Sequence, residues 1–394
     1  MIIRKKPINI NLPDEQLTLL LNLSLRHKQT DTSPCFEEAG STPDDSTLLL
    51  DRFLWFDIET TGLSARHCPL YLIGCVRREK EGFVRYQFMT QCPEDEADVL
   101  SAFLDLCDDA DCLVHFNGDT FDVPYVRERC RFHGLRDIPG SLIGLDLLKM
   151  IRPWRRLLGL SGCRQKDLER YLGLFREDKY DGGELIQIYY SYEQLHRDDL
   201  YDLLILHNGD DMDGMMELCK LLAVPLFFDG RYTLKEMELA RYQNDLPGEL
   251  ILSVQPAERL TLPRLISVLF SGCALRAEEN LLTLRLPIYQ GTLKYFYPNY
   301  RDYYYLPEED YAIHKSVGEF VDKEHRKKAT AATCYTKKTG LFLSQPSVIY
   351  TPALYETYKG KTVFFSYEDD CFSDPDKFND FLHGIIAIAK SGKG

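Results

Sequence analysis

Two acidic residues in the segment 55–62 have the spacing of a shared metal site. Asp57 and Glu59 are two positions apart at the end of an apolar run. A pleated strand projects residues i and i+2 onto one face, so both carboxylates would point into the same space. Carboxylates near a strand end can also simply face water. Because this run predicts burial and unpaired buried charge is costly, we favour a bound cation.

A third aspartate and a histidine–aspartate pair follow later in the chain. Segment 115–125 predicts a strand, a polar turn and a helix whose first turn carries Asp122. A first-turn aspartate is often a helix cap or a partner for the helix dipole, a role that suits Asp119 better. On the longest predicted helix, His207 and Asp211 are four positions apart and therefore share a face. Alone, such a pair is more often a surface pair than a site.

The order of these segments resembles a known superfamily. The motifs DIETTG, FNGDTFDVP and HNGDD are similar to those of the DEDD 3′–5′ exonucleases, and the resemblance extends over about residues 50–222. The most similar branch is the YprB-like bacterial proteins, whose domain also resembles the proofreading domain of family B polymerases. The resemblance implies a ribonuclease H-like fold and a nuclease that hydrolyses phosphodiester bonds of nucleic acid from the 3′ end.

The resemblance also implies a metal centre. Two divalent cations, Mg²⁺ or Mn²⁺, would lie about 4 Å apart, with in-line attack on phosphorus between them, held by Asp57, Glu59, Asp122 and Asp211. The superfamily's histidine subtype places its histidine five residues before the last aspartate, whereas the tyrosine subtype places its tyrosine four before. This sequence combines histidine with the tyrosine-type spacing, so His207 is expected either to act as the general base or to orient the attacking water.

A basic stretch and three motif residues are candidates for substrate contact. Residues 149–166 contain six Lys or Arg residues and no acidic residue, in a chain whose net charge is −14. Such a stretch predicts a track for phosphates, although a solvated loop is an equal alternative. Thr60 belongs to the first motif, while Phe116 would stack on the terminal nucleotide and Asn117 would hydrogen-bond to it. The candidates from the basic stretch are Arg155, Arg156 and Lys166.

Length and composition predict more than one domain. The chain has 394 residues, of which 44% are hydrophobic, and these suffice for two cores. We predict an N-terminal helix and flexible linker over 1–47, with the linker at 27–46. A ribonuclease H-like α/β domain follows over 48–224, in which a mixed sheet begins as an antiparallel meander of three strands and is flanked by helices. Residues 225–394 predict a strand-rich α+β domain whose function the sequence does not indicate.

Tyrosines are concentrated in the segment 295–305, and several lysines and arginines follow it. Aromatic faces beside positive charge are typical of platforms for single-stranded nucleic acid. Tyrosines on strands are, however, more often half-buried packing residues.

Charge and cysteine usage narrow the partners and the location. The charge of −14 argues against a protein that coats nucleic acid non-specifically, because that affinity comes from Lys and Arg. It is compatible with a nuclease whose basic residues line one groove. The sequence has no long uncharged apolar run, its first residues lack the apolar stretch and cleavage site of a signal peptide, and its twelve cysteines include no CxxC pair. From these features we expect a cytoplasmic protein that contacts no membrane. A non-catalytic nucleic-acid-binding or assembly module and a ribonuclease H-like endonuclease stay open as alternatives, as do DNA or RNA as substrate and the oligomeric state.

Overall fold

The structure, a computed structural model, describes residues 1–31, 47–176, 180, 182–241 and 247–392. The chain divides into two compact units, Met1–Phe227 with Leu262–Arg264 and Phe228–Thr261 with Leu265–Gly394. The prediction of a linker was wrong for residues 27–31, which continue a helix. The rest of that predicted linker, residues 32–46, lies outside the described residues.

A six-stranded mixed sheet forms the centre of the first unit. Its strands are β1 (Ile2–Ile8), β2 (Phe53–Thr60), β3 (Leu70–Glu79), β4 (Gly82–Met89), β5 (Cys112–His115) and β6 (Ile143–Asp146). They lie in the order β1-β4-β3-β2-β5-β6. β2, β3 and β4 form the predicted antiparallel meander, whereas β5 pairs with β2 and β6 with β5 in parallel. β1 adds to β4 as an antiparallel edge strand, which the sequence does not predict.

Helices cover both faces of this sheet. They are α1 (Asp14–Asp31), α2 (Glu96–Asp108), α3 (Asp122–Phe132), α4 (Leu147–Ile151), α5 (Gln165–Leu172), α6 (Gly182–Leu195), α7 (Asp198–Leu218) and α8 (Ala223–Phe228). On one face, the Phe56 ring stacks on Phe103 of α2 with 5.1 Å between ring centroids. On the other face, Asn208 of α7 packs over Gly74 of β3. The predicted mixed α/β fold with flanking helices is therefore confirmed.

Two glycines let α7 pack closely against its neighbours. A Cβ atom at Gly209 would lie 2.9 Å from the Arg85 guanidinium of β4, and one at Gly214 would lie 2.0 Å from Oε1 of Glu169 in α5. A glycine inside a helix costs about 1 kcal/mol relative to alanine, so this close packing must offset that cost. Arg85 is buried and also pairs with Asp213 at 2.6 Å.

The second unit is rich in strands, as predicted. Its elements are β7 (Tyr232–Arg241), β8 (Pro247–Pro256), β9 (Ile266–Phe270), β10 (Cys273–Glu278), β11 (Leu281–Phe296), β12 (Tyr303–Leu306), β13 (Tyr311–His314), α9 (Lys315–Gly318), β14 (Lys327–Lys328), β15 (Tyr335–Gln345), β16 (Val363–Ser366) and α10 (Pro375–Ser391). The larger sheet runs β16-β15-β11-β10-β9, with β8 paired to both β11 and β7, and the smaller sheet runs β13-β12-β14. Within the described part of the chain, no helix is long and apolar enough to cross a membrane.

The tyrosines of the second unit pack against one another and against cations of the same unit. Tyr297 and Tyr303 stack with 4.6 Å between ring centroids. The Lys294 ammonium lies 4.1 Å from the centre of the Tyr335 ring. These contacts are those of half-buried packing residues.

Candidate functional site

Asp57 and Glu59 lie near the end of β2 on the face that α7 covers. Their neighbours Phe56 and Ile58 point to the opposite face, into the core beneath α2 and α3. The alternation follows from the two-residue period of a strand. Both carboxylates are only partly exposed, with 14% of the Glu59 side chain accessible to solvent. The predicted pairing of the two acids on one face is therefore present in the structure.

α7 brings His207 and Asp211 to Glu59. Nε2 of His207 lies 3.1 Å from Oδ2 of Asp211 and 3.6 Å from Oε1 of Glu59. One ligand atom from each of the three residues lies within 4.8 Å of the others. The four-residue spacing on one helix face thus places an imidazole and a carboxylate against the end of β2.

Asn208, the residue after His207, holds Asp57. Its buried amide donates from Nδ2 to Oδ2 of Asp57 at 3.3 Å and accepts at Oδ1 from Nε2 of Gln87 at 3.0 Å. Gly74 leaves the space for this amide, since a Cβ there would lie 2.3 Å from Oδ1 of Asn208. Sequence reasoning did not single out Asn208, although its place inside the HNGDD motif was a usable signal.

Asp122 is the first residue of α3 and is buried against β2. Its Oδ1 accepts the backbone N–H of Ile58 at 3.3 Å, which places it between Asp57 and Glu59 along the chain of β2. Burial raises the pKa of Asp122 to about 6, although the nearby His115 partly opposes the shift. An aspartate held this way is not a solvent-facing helix cap.

The charges of the four carboxylates act on one another. Burial raises the pKa of Asp57 well above its usual value, and the negative charges of Asp122, Asp211 and Glu59 raise it further. Arg176 opposes the shift. The four predicted acids therefore form one electrostatic cluster.

Arg176 and Glu169 complete this cluster and are absent from the sequence-based candidates. The Arg176 side chain is 9% exposed and Glu169 of α5 is 2% exposed. The guanidinium donates to both carboxylate oxygens of Glu169 at 2.5 Å and, from Nη1, to Oδ1 of Asp211. Burial lowers the pKa of Arg176, but its bond to Glu169 and the charge of Asp211 outweigh this and give a net rise. The pair thus fixes one oxygen of Asp211 while the other faces His207.

A second group of titratable residues lies around the turn that precedes α3. The fully buried ring of His115 has Nε2 at 3.4 Å from Asp119 and Nδ1 at 3.7 Å from Asp146. Asp119 also pairs with Lys149 at 2.6 Å, so its expected role as a helix cap was wrong. Asp146 instead caps α4 and accepts the backbone N–H of Asn117 at 3.0 Å. These contacts hold the turn that leads into Asp122.

The three motif residues proposed for substrate contact lie at the ends of two strands, β2 and β5. Thr60 ends β2, and its hydroxyl donates to the carbonyl of Gly62 at 2.9 Å. Phe116 is half-buried, whereas Asn117 is exposed with a φ of 64°, a conformation that asparagine tolerates. The Asn117 side-chain oxygen accepts the Thr120 hydroxyl at 2.8 Å.

The basic stretch contributes exposed arginines and an open cavity to the surface. Arg155 is exposed and donates to the carbonyls of Leu160 and Ser161. Lys166 donates to the carbonyl of Tyr180 at 3.3 Å. An open cavity of about 530 Å³ is lined by Arg152, Pro153, Arg155, Arg156, Gly159 and Leu160. The three carbonyls that accept from Arg155 and Lys166 do not belong to residues of the acidic cluster.

Comparison with known proteins finds a family match within the first unit and similarity to several solved structures. Residues 54–223 match the family model RNase_H_2 of the RNase_H superfamily. Among solved structures, the chain is similar to the family B DNA polymerase of the hyperthermophilic archaeon Pyrobaculum calidifontis, at 14% identity and a TM-score of 0.35 over 65% of this chain and 35% of the polymerase. It is similar to exonuclease I at 14% identity and a TM-score of 0.28, over 52% of this chain and 55% of that chain. It is similar to E. coli exonuclease I in complex with a dA16 oligonucleotide at 14% identity and a TM-score of 0.27, over 52% of this chain and 54% of that chain.

These matches cover only part of each solved chain. The protein spans about a third of the polymerase and about half of exonuclease I. No curated protein matches the chain. The match of residues 54–223 to the RNase_H superfamily model supports a nuclease that acts on nucleic acid with divalent cations, for which the acidic residues and His207 are available donors.

Proposed function

We propose that the protein is a metal-dependent 3′–5′ exonuclease of the DEDD type, in the YprB-like branch, acting on single-stranded DNA or RNA ends. One observation carries the proposal. Ligand atoms of Glu59, His207 and Asp211 lie within 4.8 Å of one another, and Asp57 and Asp122 share their electrostatic field. The site supports this activity more specifically than the fold does, because a fold alone does not determine chemistry.

The donor set fits hard divalent cations. Carboxylate oxygens dominate it, which suits Mg²⁺ or Mn²⁺. Burial and, after it, the like charges of the neighbouring carboxylates raise the pKa of Asp57. A cation would relieve this repulsion, so ion binding would release protons. The ligands of the two ions would be Asp57, Glu59, Asp122 and Asp211. Bound there, the ions would stabilise charge on the phosphate and lower the pKa of the attacking water.

The protein's own contribution is to hold these side chains in place. Asn208 fixes Asp57, the backbone of β2 fixes Asp122, and Arg176 fixes Asp211. Three of the four proposed ligands thus have a hydrogen-bonding partner that is not itself a proposed ligand, and such partners orient the ligands of metal sites. Such support keeps the carboxylates convergent in spite of their repulsion.

We propose separate surfaces for the nucleic acid. The exposed Asn117 and the half-buried Phe116 follow β5 directly and would contact the terminal nucleotide, with Thr60 beside Glu59 on β2 as a further contact. The arginines of the 530 Å³ cavity would contact backbone phosphates. Concentrating positive charge there gives an acidic chain a local surface that attracts nucleic acid.

End-labelled and circular substrates test the proposal. The full chain is incubated with 5′-labelled DNA and RNA oligonucleotides whose last linkage is either normal or phosphorothioate, and with circular single-stranded DNA. We expect stepwise shortening from the 3′ end, delay by the phosphorothioate and no attack on the circle. Cleavage of the circle would indicate an endonuclease. Binding to these substrates without cleavage would indicate a non-catalytic module.

A further inference from the structure

We propose that His207 is itself a metal ligand through Nε2, so that the site takes Mn²⁺, a divalent transition metal, in preference to Mg²⁺. The inference rests on the proposed metal site and deepens it. It differs from both roles that the family resemblance implies for this histidine, general base and orientation of the attacking water. A nitrogen bound to a metal has no lone pair left to accept a proton or a hydrogen bond from water.

The distances around Nε2 fit a shared ion. Donor atoms that bind one octahedral cation at about 2.1 Å lie about 3 Å from their nearest neighbours. Nε2 of His207 lies 3.1 Å from Oδ2 of Asp211 and 3.6 Å from Oε1 of Glu59. A side chain that only orients a bound water stands one hydrogen bond farther out, about 3 Å beyond the water oxygen. Nε2 of His207 instead stands at the separation of neighbouring ligands from Oδ2 of Asp211, a separation that it shares with a hydrogen-bonded pair.

Helix geometry explains why this chain places a ligand here. At 100° per residue, a four-residue step on α7 leaves His207 about 40° from Asp211 around the helix axis, whereas a five-residue step leaves about 140°. The four-residue step therefore stacks the imidazole beside the carboxylate. His207 is 8% exposed, so the ring is enclosed with these oxygens instead of reaching them from solvent.

The support of Asp211 strengthens the assignment. Its Oδ1 is engaged by Arg176, and its Oδ2 faces His207. The oxygen directed at the cluster is thus the one beside Nε2. A cation placed between Oδ2, Nε2 and Oε1 would have two oxygen donors and one nitrogen donor from the protein.

The combination of oxygen and nitrogen ligands determines which ion the site prefers. Imidazole nitrogen suits transition metals, whereas Mg²⁺ is bound almost entirely by oxygen. Mn²⁺ accepts carboxylate oxygens as Mg²⁺ does and gains the nitrogen as well. We therefore expect the full chain to bind Mn²⁺ at least about tenfold more tightly than Mg²⁺.

Electron spin-echo modulation on the Mn²⁺-loaded full chain tests the ligand directly. A coordinated imidazole gives ¹⁴N modulation, which changes when the protein is grown with ¹⁵N-histidine. We expect this signal in the parent and its loss in His207→Gln, together with a Mn²⁺ affinity at least about tenfold lower and little change for Mg²⁺. His196→Asn is the matched control, since His196 is exposed and its φ of 48° suits asparagine. It should keep both the signal and the affinity.

The outcomes separate this inference from the proposed function. Bound Mn²⁺ without histidine nitrogen modulation in the parent would overturn the ligand assignment, and that measurement needs no variant. Modulation that persists in His207→Gln would overturn it too. Modulation in a protein that degrades no oligonucleotide would keep the ligand assignment and refute the nuclease. A parent that binds no Mn²⁺ would refute the metal site and the inference together.

Discussion

At the scale of single residues, burial and the like charges of its neighbours both raise the pKa of Asp57. Desolvation and the charges of Asp122, Asp211 and Glu59 all disfavour its ionised form. Asn208 donates only one hydrogen bond to it at 3.3 Å. Without a cation, the ionised cluster therefore destabilises the fold that holds it.

Neutralising Asp57 should relieve this destabilisation. Asp57→Asn removes one charge and keeps the shape, so we expect the metal-free protein to melt about 2–4 °C higher, which corresponds to ~1 kcal/mol for a unit of this size. Divalent cations should stabilise the variant less than the parent. Thermal unfolding in EDTA and in Mg²⁺ measures both effects, with the exposed Asp51→Asn as a control. A variant that melts below the parent in EDTA would contradict the account.

Asp122 predicts a pH dependence with a definite sign. Its folded-state pKa of about 6 lies above the unfolded value of about 4, so the folded state binds more protons between these values. The stabilisation by this group is present below about pH 4 and is lost as the pH rises through about 6. We expect the metal-free midpoint to fall over this window in the parent and to fall less in Asp122→Asn. Equal pH slopes in the two proteins would exclude Asp122 as the source.

At the scale of elements, α5 and α7 are joined by a buried ion pair. Gly214 of α7 admits the Glu169 carboxylate, and Arg176 links this carboxylate to Asp211. Replacing a buried pair with neutral groups is often tolerated, whereas removing one partner leaves an uncompensated charge. The stability of this junction and the orientation of Asp211 thus depend on the same contacts.

A double-mutant cycle measures the pair. Arg176→Gln should lower the free energy of unfolding by about 3–5 kcal/mol, because Glu169 then stays buried without its cation. Adding Glu169→Gln should recover most of this loss. Urea denaturation in EDTA gives the four stabilities. If Arg176→Gln is as stable as the parent, or the double variant is no more stable than the single one, the ion pair does not form as described.

Elements with a strong periodic pattern are the ones that sequence can predict. β2, β3 and β4 follow from their apolar runs, whereas β1 does not because it carries charges and a proline, which an edge strand tolerates. α6 is rich in tyrosine and isoleucine, which are typical of strands. It is a helix because Leu185, Tyr189 and Tyr192 bury one face in the core. The residue composition of α6 alone does not indicate this packing.

The residues of the site likewise differ in whether the sequence can predict their contacts. The spacing within motifs brings Asp57 to Glu59 and His207 to Asp211, since each pair lies on one element. Arg176 could not be found this way, because its contacts with Glu169 and Asp211 depend on how a loop returns to two helices. The spacing of residues predicts which side chains meet within one helix or strand, but it does not predict contacts between different elements.

At the scale of the whole molecule, the net charge of −14 repels nucleic acid, so binding must rely on local cations. The cavity lined by Arg152, Arg155 and Arg156 is such a place in the first unit. Long-range repulsion is screened by salt while direct phosphate contacts release counterions. The salt dependence of binding therefore reports on how many contacts form.

Charge reversal in this cavity should lower that salt dependence. We expect Arg155→Glu/Arg156→Glu, made in the Asp57→Asn background to prevent degradation, to weaken binding of single-stranded oligonucleotides. The slope of log K against log salt should fall by about 0.7 for each lost phosphate contact. Lys6→Glu/Lys80→Glu changes the net charge equally at exposed positions of the first unit and serves as the control. Equal slopes for the two double variants would show that the cavity is only a solvated surface.

The convergent carboxylates of β2, α3 and α7 are proposed to hold the ions for metal-dependent phosphodiester hydrolysis. The most direct test is single-turnover degradation of a 5′-labelled single-stranded oligonucleotide by the parent and by Asp57→Asn and Asp211→Asn, in Mg²⁺, Mn²⁺ and EDTA. We predict a ladder of 3′-shortened products from the parent with metal and none in EDTA. Each variant should be at least about a hundredfold slower in the same metals. Cleavage that persists in EDTA, or variants as fast as the parent, would contradict the account.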